Sequence, residues 1–281
     1  MRHLSGLVFL LGCSDYQVHS TAKNSGTVAE DDAPIVDTAD MDTGAPIVPI
    51  EEAPPVGETP PPDEDPPEIE TPDEPIYLHT GETLYSWDPE SGILGIVGNF
   101  FRADDAEIEG ITDIAIDASG RFYGVSFSTL YGINGHTAEI WPISTLEFPL
   151  FGLTCTSDDR LVGGGDGLVE IDPLTGAIST LVPEGHFETS GDLVGLPDGL
   201  LYWAVREGDD LVVVDPNSGV TVPRGEIGVE HIYGLAYSSG SLYGFTQEGQ
   251  VLAISPTTGE VLSQTALPGA WYGATANPVL W

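Results

Sequence analysis

A short turn motif recurs five times between residues 88 and 259 of this 281-residue chain. Three copies read Asp-Pro-x-Ser/Thr-Gly, one begins with serine, and one is degenerate. They are Asp88-Pro-Glu-Ser-Gly92, the degenerate Asn134-Gly-His-Thr137, Asp172-Pro-Leu-Thr-Gly176, Asp215-Pro-Asn-Ser-Gly219 and Ser255-Pro-Thr-Thr-Gly259. The intervals are 46, 38, 43 and 40 residues, and an apolar strand precedes each copy. This period is typical of a propeller blade of four short strands.

The two ends of the repeat region predict how the ring closes. Ile76 and the C-terminal Trp281 fall on the same repeat position, so residues 76 to about 98 supply what the last, truncated copy lacks. Residues 76–281 number 206, which at about 42 residues a blade makes five. We therefore predict an all-β, five-bladed β-propeller with four-stranded blades and almost no helix, closed by strands from both termini that share one blade.

The strand pattern resembles the broad group of NHL, SMP-30-like and quinoprotein-like propellers over the whole repeat region. The resemblance is to a repeat type, so it implies a fold and says little about activity. Signatures of narrower families do not recur: the WD-like dipeptide Trp87-Asp88 is replaced by Ile171-Asp172 and Val214-Asp215 in later copies.

The first thirteen residues read as a targeting signal. A short apolar run, too short to span a bilayer, ends in Leu10-Leu-Gly-Cys13. These four residues resemble the lipobox of bacterial lipoproteins, which implies removal of residues 1–12 and acylation of Cys13. Ser14, rather than aspartate, follows the cysteine, and by the same resemblance the protein goes to the outer membrane, on its periplasmic or its surface-exposed side.

Residues 13–75 have the composition of a tether. Positions 14–75 hold 17 acidic residues, 12 prolines and one lysine, with Tyr16 as the one aromatic residue. Such a segment cannot bury enough apolar surface to offset its ordering entropy, and proline and like charges favour extension. We predict a disordered spacer between the lipid anchor and the propeller.

The charge balance narrows the range of partners. The whole chain has 45 acidic residues against 7 Lys and Arg, a formal net charge of −38. Nucleic acids and anionic lipid headgroups are therefore excluded as expected partners, whereas cations would be weakly attracted. Of the two cysteines, Cys155 lies in a predicted strand, where we expect a small buried apolar residue.

The candidate site follows from the resemblance, which implies that the first strand of each blade lines the central channel. Those strands are predicted to begin at Asp113, Gly152, Asp192, Gly234 and Gly273, preceded by Thr112, Phe151, Gly191, Tyr233 and Tyr272. The candidate ligand-binding residues are Asp113, Asp192, Tyr233, Tyr272, Trp271 and His231.

Three roles for the two aspartates stay open. They could hold a weakly bound calcium ion together with backbone carbonyls. They could act as the acid and base of a glycosidase-like hydrolase. They could also simply cap neighbouring backbone amides.

No other catalytic or metal-ligand pattern stands out in the sequence. We expect a monomeric, non-enzymatic binding or scaffold module for an envelope protein or glycan, with the hydrolase acting through Asp113 and Asp192 as the alternative.

Overall fold

A computed structural model describes residues 75–185, 187, 189–206 and 210–278. The signal peptide, Cys13 and the tether up to residue 74 lie outside the described residues. Within them the chain forms twenty strands and no helix. Accordingly, this part of the chain contains no helix long and apolar enough to cross a membrane.

The strands form five antiparallel sheets of four strands each, confirming the predicted fold class. The closing blade contains β20 (Gly273–Thr275), β1 (Ile76–His79), β2 (Thr83–Trp87) and β3 (Leu94–Asn99). The second contains β4 (Asp113–Ile116), β5 (Phe122–Val125), β6 (Thr129–Ile133) and β7 (Ile140–Thr145). The third contains β8 (Gly152–Cys155), β9 (Leu161–Gly164), β10 (Leu168–Ile171) and β11 (Ile178–Val182). The fourth contains β12 (Thr189–Gly195), β13 (Leu201–Val205), β14 (Asp210–Val214) and β15 (Thr221–Glu226). The fifth contains β16 (Ile232–Ser238), β17 (Ser241–Thr246), β18 (Gln250–Ile254) and β19 (Val261–Ala266).

The ring closes as predicted, by strands from both ends of the propeller. In the closing blade β1 pairs antiparallel with β20, which sets Tyr77 opposite Thr275 and His79 opposite Gly273. The innermost strands β20, β4, β8, β12 and β16 each contact the innermost strand of the next blade around the ring.

The repeated turn motif joins the two outer strands of every blade. Its fifth residue donates its backbone amide to the carbonyl of its first residue at 2.8 Å in all five copies, the degenerate one included. In four copies the fifth residue is glycine with φ between 69° and 79°, the left-handed conformation that costs glycine little. In the second blade Ala138 adopts the same conformation, with φ of 61°.

Apolar side chains pack between neighbouring blades rather than at one central core. Five buried clusters are found, one for each interface between adjacent sheets. Cys155 is 4% exposed and belongs to the cluster between the second and third blades, as expected. Burial of this apolar surface is the main favourable contribution to folding, so the stability of each blade depends on both of its neighbours.

Trp271 stabilises the interface that joins the last complete blade to the closing blade. Its side chain is fully buried with Ile76 and Leu78, and its indole N–H donates to the carbonyl of Leu267 at 2.9 Å. Trp271→Ala should lower the free energy of unfolding by about 3–5 kcal/mol, because it leaves a cavity. Trp141→Ala, at a side chain that is 49% exposed, should cost less than about 1 kcal/mol. Urea denaturation measures both.

Equal losses of stability in these two variants would contradict this account of closure.

Deletion of residues 270–281 removes β20, and we expect the shortened chain to lack a cooperative unfolding transition.

Candidate functional site

Equivalent residues at the start of each blade surround one cavity at the end of the channel; two of them, Gly191 and Tyr233, lie within β12 and β16, which begin earlier than the sequence predicted. Thr112, Phe151, Gly191, Tyr233 and Tyr272 all line it, and its volume is about 330 Å³. We call it the mouth cavity. Its other lining residues come from the same end of the propeller: Gly81, Gly110, Ile111, Phe127, Thr189, Ser190 and Arg206. Equivalent repeat positions thus converge on one concave surface, as ring symmetry requires.

Two pairs of aromatic rings form much of the cavity wall. Phe127 and Phe151 meet edge to face with centroids 5.9 Å apart. Tyr233 and Tyr272 lie nearly parallel, with centroids 6.1 Å apart and planes 10° from each other. The amide of Gln247 donates to the hydroxyl of Tyr272 at 3.1 Å, which fixes that ring. Such a wall offers apolar area with few polar groups, the usual composition of a small-ligand site.

The mouth cavity differs in charge from the rest of the molecule. The chain carries 45 acidic residues, yet no aspartate or glutamate is among the described residues that line this cavity. Arg206 is the charged side chain in the lining. The described part of the wall thus contains an arginine and no carboxylate.

Asp113 and Asp192 lie in the channel but do not line the cavity, and both are fully buried. Each carboxylate accepts two backbone amides. Asp113 accepts from Ile114 at 2.8 Å and from Leu153 of the next blade at 2.5 Å. Asp192 accepts from Leu193 at 2.6 Å and from Leu235 of the next blade at 2.5 Å. Of the three roles left open, this geometry fits the capping role, because each aspartate joins its own blade to the following one.

The two buried carboxyls share their surroundings and shift each other's pKa. Burial raises the pKa of Asp113 well above its usual value, and the nearby charge of Asp192 raises it further. Burial also raises the pKa of Asp192, to about 7, while hydrogen bonds from Asp113 and from backbone amides act in the opposite direction. Because both pKa values are raised, the pair is expected to retain a proton near neutral pH.

His79 is a third buried polar group in the channel, and it was not among the predicted site residues. Its Nδ1 lies 2.8 Å from the carbonyl of Thr80, so Nδ1 carries the proton and a neutral ring leaves Nε2 bare. Nε2 lies 3.9 Å from Asp113 Oδ1, and burial lowers the pKa of His79 to about 4. A Cβ on Gly273 would collide with both groups, so glycine is required there.

Two other candidates from the sequence lie away from the mouth cavity. Trp271 is wrong as a mouth residue, because its side chain is fully buried between blades. His231 is exposed beside the mouth, where its Nδ1 lies 2.7 Å from Glu248 Oε1. It contacts Tyr233 at a centroid distance of 5.9 Å, but it lines a neighbouring depression rather than the cavity itself.

Asp113 and Asp192 offer no accessible carboxyl to a cation or a substrate, because both are fully buried. No cluster of three or more His, Cys, Asp or Glu able to hold a metal ion is found among the described residues. The carboxylates of both aspartates already accept backbone amides. An acid–base pair must reach the bond it acts on, and these carboxyls are sealed beneath the cavity.

Comparisons with known proteins give the fold and no family. No protein family matches the sequence, and neither does any curated protein. A solved chain from a nidogen–laminin complex is similar, with a TM-score of 0.53 and 11% identity over 73% of this chain and 81% of that one. Streptogramin B lyase has a TM-score of 0.45 and 14% identity, over 71% of each chain. U3-55K has a TM-score of 0.45 and 13% identity over 69% of this chain. The match covers 61% of the U3-55K chain.

The chain forms a β-propeller. At these identities the likeness extends to the fold alone.

The buried carboxyl pair should make the propeller less stable as the pH rises. Both pKa values are raised above the unfolded value of about 3.9. The carboxyl pair therefore makes its full contribution to stability below the unfolded pKa of about 3.9. This contribution is lost as the pH rises, through about 7 for Asp192. The lowered pKa of His79 acts in the opposite sense, but only below its unfolded value of about 6.5.

We expect the free energy of unfolding to fall from pH 5 to pH 8, by about 1.4 kcal/mol per pH unit for each proton released. Asp113→Asn should lower stability at every pH and flatten this slope. Asp88→Asn, at an exposed turn, should leave the slope unchanged. Denaturant titrations across the pH range measure it, and an unchanged slope in Asp113→Asn would refute the shared proton.

Proposed function

We propose that the propeller is a non-enzymatic binding module whose partner docks at the mouth cavity. The observation that carries this proposal is the convergence of all five blades on one aromatic-walled cavity, with no carboxylate among the lining residues that the structure describes. Rings such as Tyr233 and Tyr272 supply large contact area at low cost in conformational entropy, and aromatic residues dominate binding hot spots. The partner is a protein or a glycan of the cell envelope.

A binding module is favoured over a hydrolase by the state of the two aspartates. Glycosidases use two carboxyls that flank the scissile bond with room for water or substrate between them. Asp113 and Asp192 are fully buried and each already accepts two backbone amides. The same hydrogen bonds argue against the weakly bound calcium ion considered from the sequence.

We further propose that the module is held at a bacterial envelope through acylated Cys13. Two or three acyl chains on one residue exceed what stable membrane anchoring requires. The acidic, proline-rich segment that follows would act as a spacer, presenting a monomeric propeller at a distance from the lipid. Outer-membrane placement follows from Ser14 in the same proposal.

The mouth cavity is tested by its two parallel tyrosines. The double variant Tyr233→Ala/Tyr272→Ala should lose at least about tenfold in affinity for its partner, because both rings are lost from the wall. The full chain serves as bait in envelope extracts. A component that it retains is then measured by surface plasmon resonance against the double variant.

The control is Leu262→Ala, which removes a side chain that is 67% exposed on the outer strand β19. A partner retained equally by the double variant and the control would place binding elsewhere. Saccharide hydrolysis by the full chain that Asp113→Asn/Asp192→Asn abolishes, with the fold intact, would favour the hydrolase instead.

The anchor is tested by the two cysteines. Cys13→Ala should move the protein from the membrane fraction to the soluble fraction and block removal of residues 1–12, because the thiol that would be acylated at the lipobox is gone. Cys155→Ala is the matched control, since burial keeps that thiol from reacting and raises its pKa. Detergent partitioning and intact mass give the readout. A Cys13→Ala protein of unchanged mass and partitioning would contradict the lipoprotein assignment.

A further inference from the structure

A second, larger cavity lies at the end of the propeller opposite the mouth. Its volume is about 570 Å³, within the range of roughly 300–1,000 Å³ that is usual for small-ligand pockets. We call it the rear cavity. It is built around the second blade, with residues of the turn after β4, the degenerate turn after β6, and the tip of the third blade. Its lining includes Arg121, Gly132, Asn134, His136, Trp141 and Leu174.

The second blade departs from the repeat where the cavity forms. Gly132 on β6 pairs with Trp141 on β7. The equivalent pairs in the other blades are Ser86 with Gly95, Glu170 with Ser179, Val213 with Val222 and Ala253 with Ser263. A Cβ on Gly132 would collide with the indole of Trp141. The missing side chain therefore lets the indole lie across the strand.

That indole forms an exposed platform. Trp141 is 49% exposed, and Leu174, on the tip of the third blade, is 79% exposed. The degenerate turn supplies glycine at position 135, where the other four copies have proline, and polar side chains at Asn134 and His136. The wall thus combines a flat apolar surface with hydrogen-bonding groups beside it.

The charge of the cavity wall limits the chemical class of ligand that fits there. No aspartate or glutamate is among the described residues lining the rear cavity, so no carboxylate in that lining would bind a cation. Its arginine, Arg121, already pairs with Asp117, whose Oδ2 lies 2.6 Å from Nε. An anion would meet a neutralised arginine in a chain of net charge −38. The same net charge disfavours a second copy of the chain as occupant.

We propose that the rear cavity binds a neutral saccharide, with a sugar ring stacked on the indole of Trp141. A sugar ring has an apolar face of C–H groups that packs on an aromatic ring, and hydroxyls at its edge that need partners. Asn134, His136 and Arg121 provide donors and acceptors at that edge. This site is separate from the mouth cavity and does not rest on the function proposed there.

The test uses the full chain and a panel of neutral disaccharides: cellobiose, maltose, lactose and N,N′-diacetylchitobiose. Isothermal titration calorimetry should detect binding of at least one of them at concentrations up to about 10 mM. Trp141→Ala should weaken that binding at least about tenfold, and Trp141→Phe should retain most of it. Ile96→Ala, at a side chain that is 74% exposed on β3, is the control and should leave binding unchanged.

Further measurements distinguish a sugar site in the rear cavity from binding at the mouth cavity and from a dimer interface. Binding of a neutral sugar should be insensitive to salt and should survive the Tyr233→Ala/Tyr272→Ala change at the mouth. Failure of the whole panel would overturn the proposal, as would binding that persists in Trp141→Ala. A dimer in sedimentation analysis that Trp141→Ala dissociates would show that the rear cavity is an interface between copies, which also overturns it.

Discussion

Pairing of β1 with β20 is the constraint on which the other features of this propeller depend. Three strands of the closing blade come from the start of the propeller and one from its end. Without that pairing β1 would expose an unpaired edge and β20 would belong to no sheet, and a sheet edge is a template for aggregation. Closure also brings His79 and Gly273 into the channel and Tyr272 to the mouth. The candidate site is therefore complete only when the last strand is in place.

Crowding at the channel axis explains the composition of the innermost strands. Five strands converge on a narrow channel, and three of the five equivalent positions are glycine. The room that Gly273 leaves is filled by Asp113 and His79. Asp113 and Asp192 both hydrogen-bond across blade boundaries. Inter-blade contact in this channel is thus made by buried polar groups, and the desolvation of the carboxyls is offset by amide hydrogen bonds and a retained proton. Stability and pH response are linked through the same two residues.

Much of the fold was predictable because it repeats. The spacing of Asp88, Asp172 and Asp215 gave the blade period, and the matching positions of Ile76 and Trp281 gave the closure. The ring of residues around the mouth followed from the same register. Trp271 was misassigned to the mouth, since neighbours along an extended chain point to opposite sides and Tyr272 is the one that lines the cavity. Proximity to Tyr272 in the sequence was therefore the wrong criterion for placing Trp271 at the mouth.

The repeat pattern could not predict the remaining residues of the site. His79 reaches the channel through strand pairing across the ring, which no local pattern encodes. Phe127 and Arg206 come from loops between the second and third strands of their blades, where the copies share no motif. In the second blade the Asn134 turn looked like simple decay of the repeat. In the folded chain Gly132 makes room for Trp141, and residues of the degenerate turn line the same rear cavity. Where one copy of a repeat departs at several positions that meet in space, the departures are better explained by a shared binding role than by independent drift.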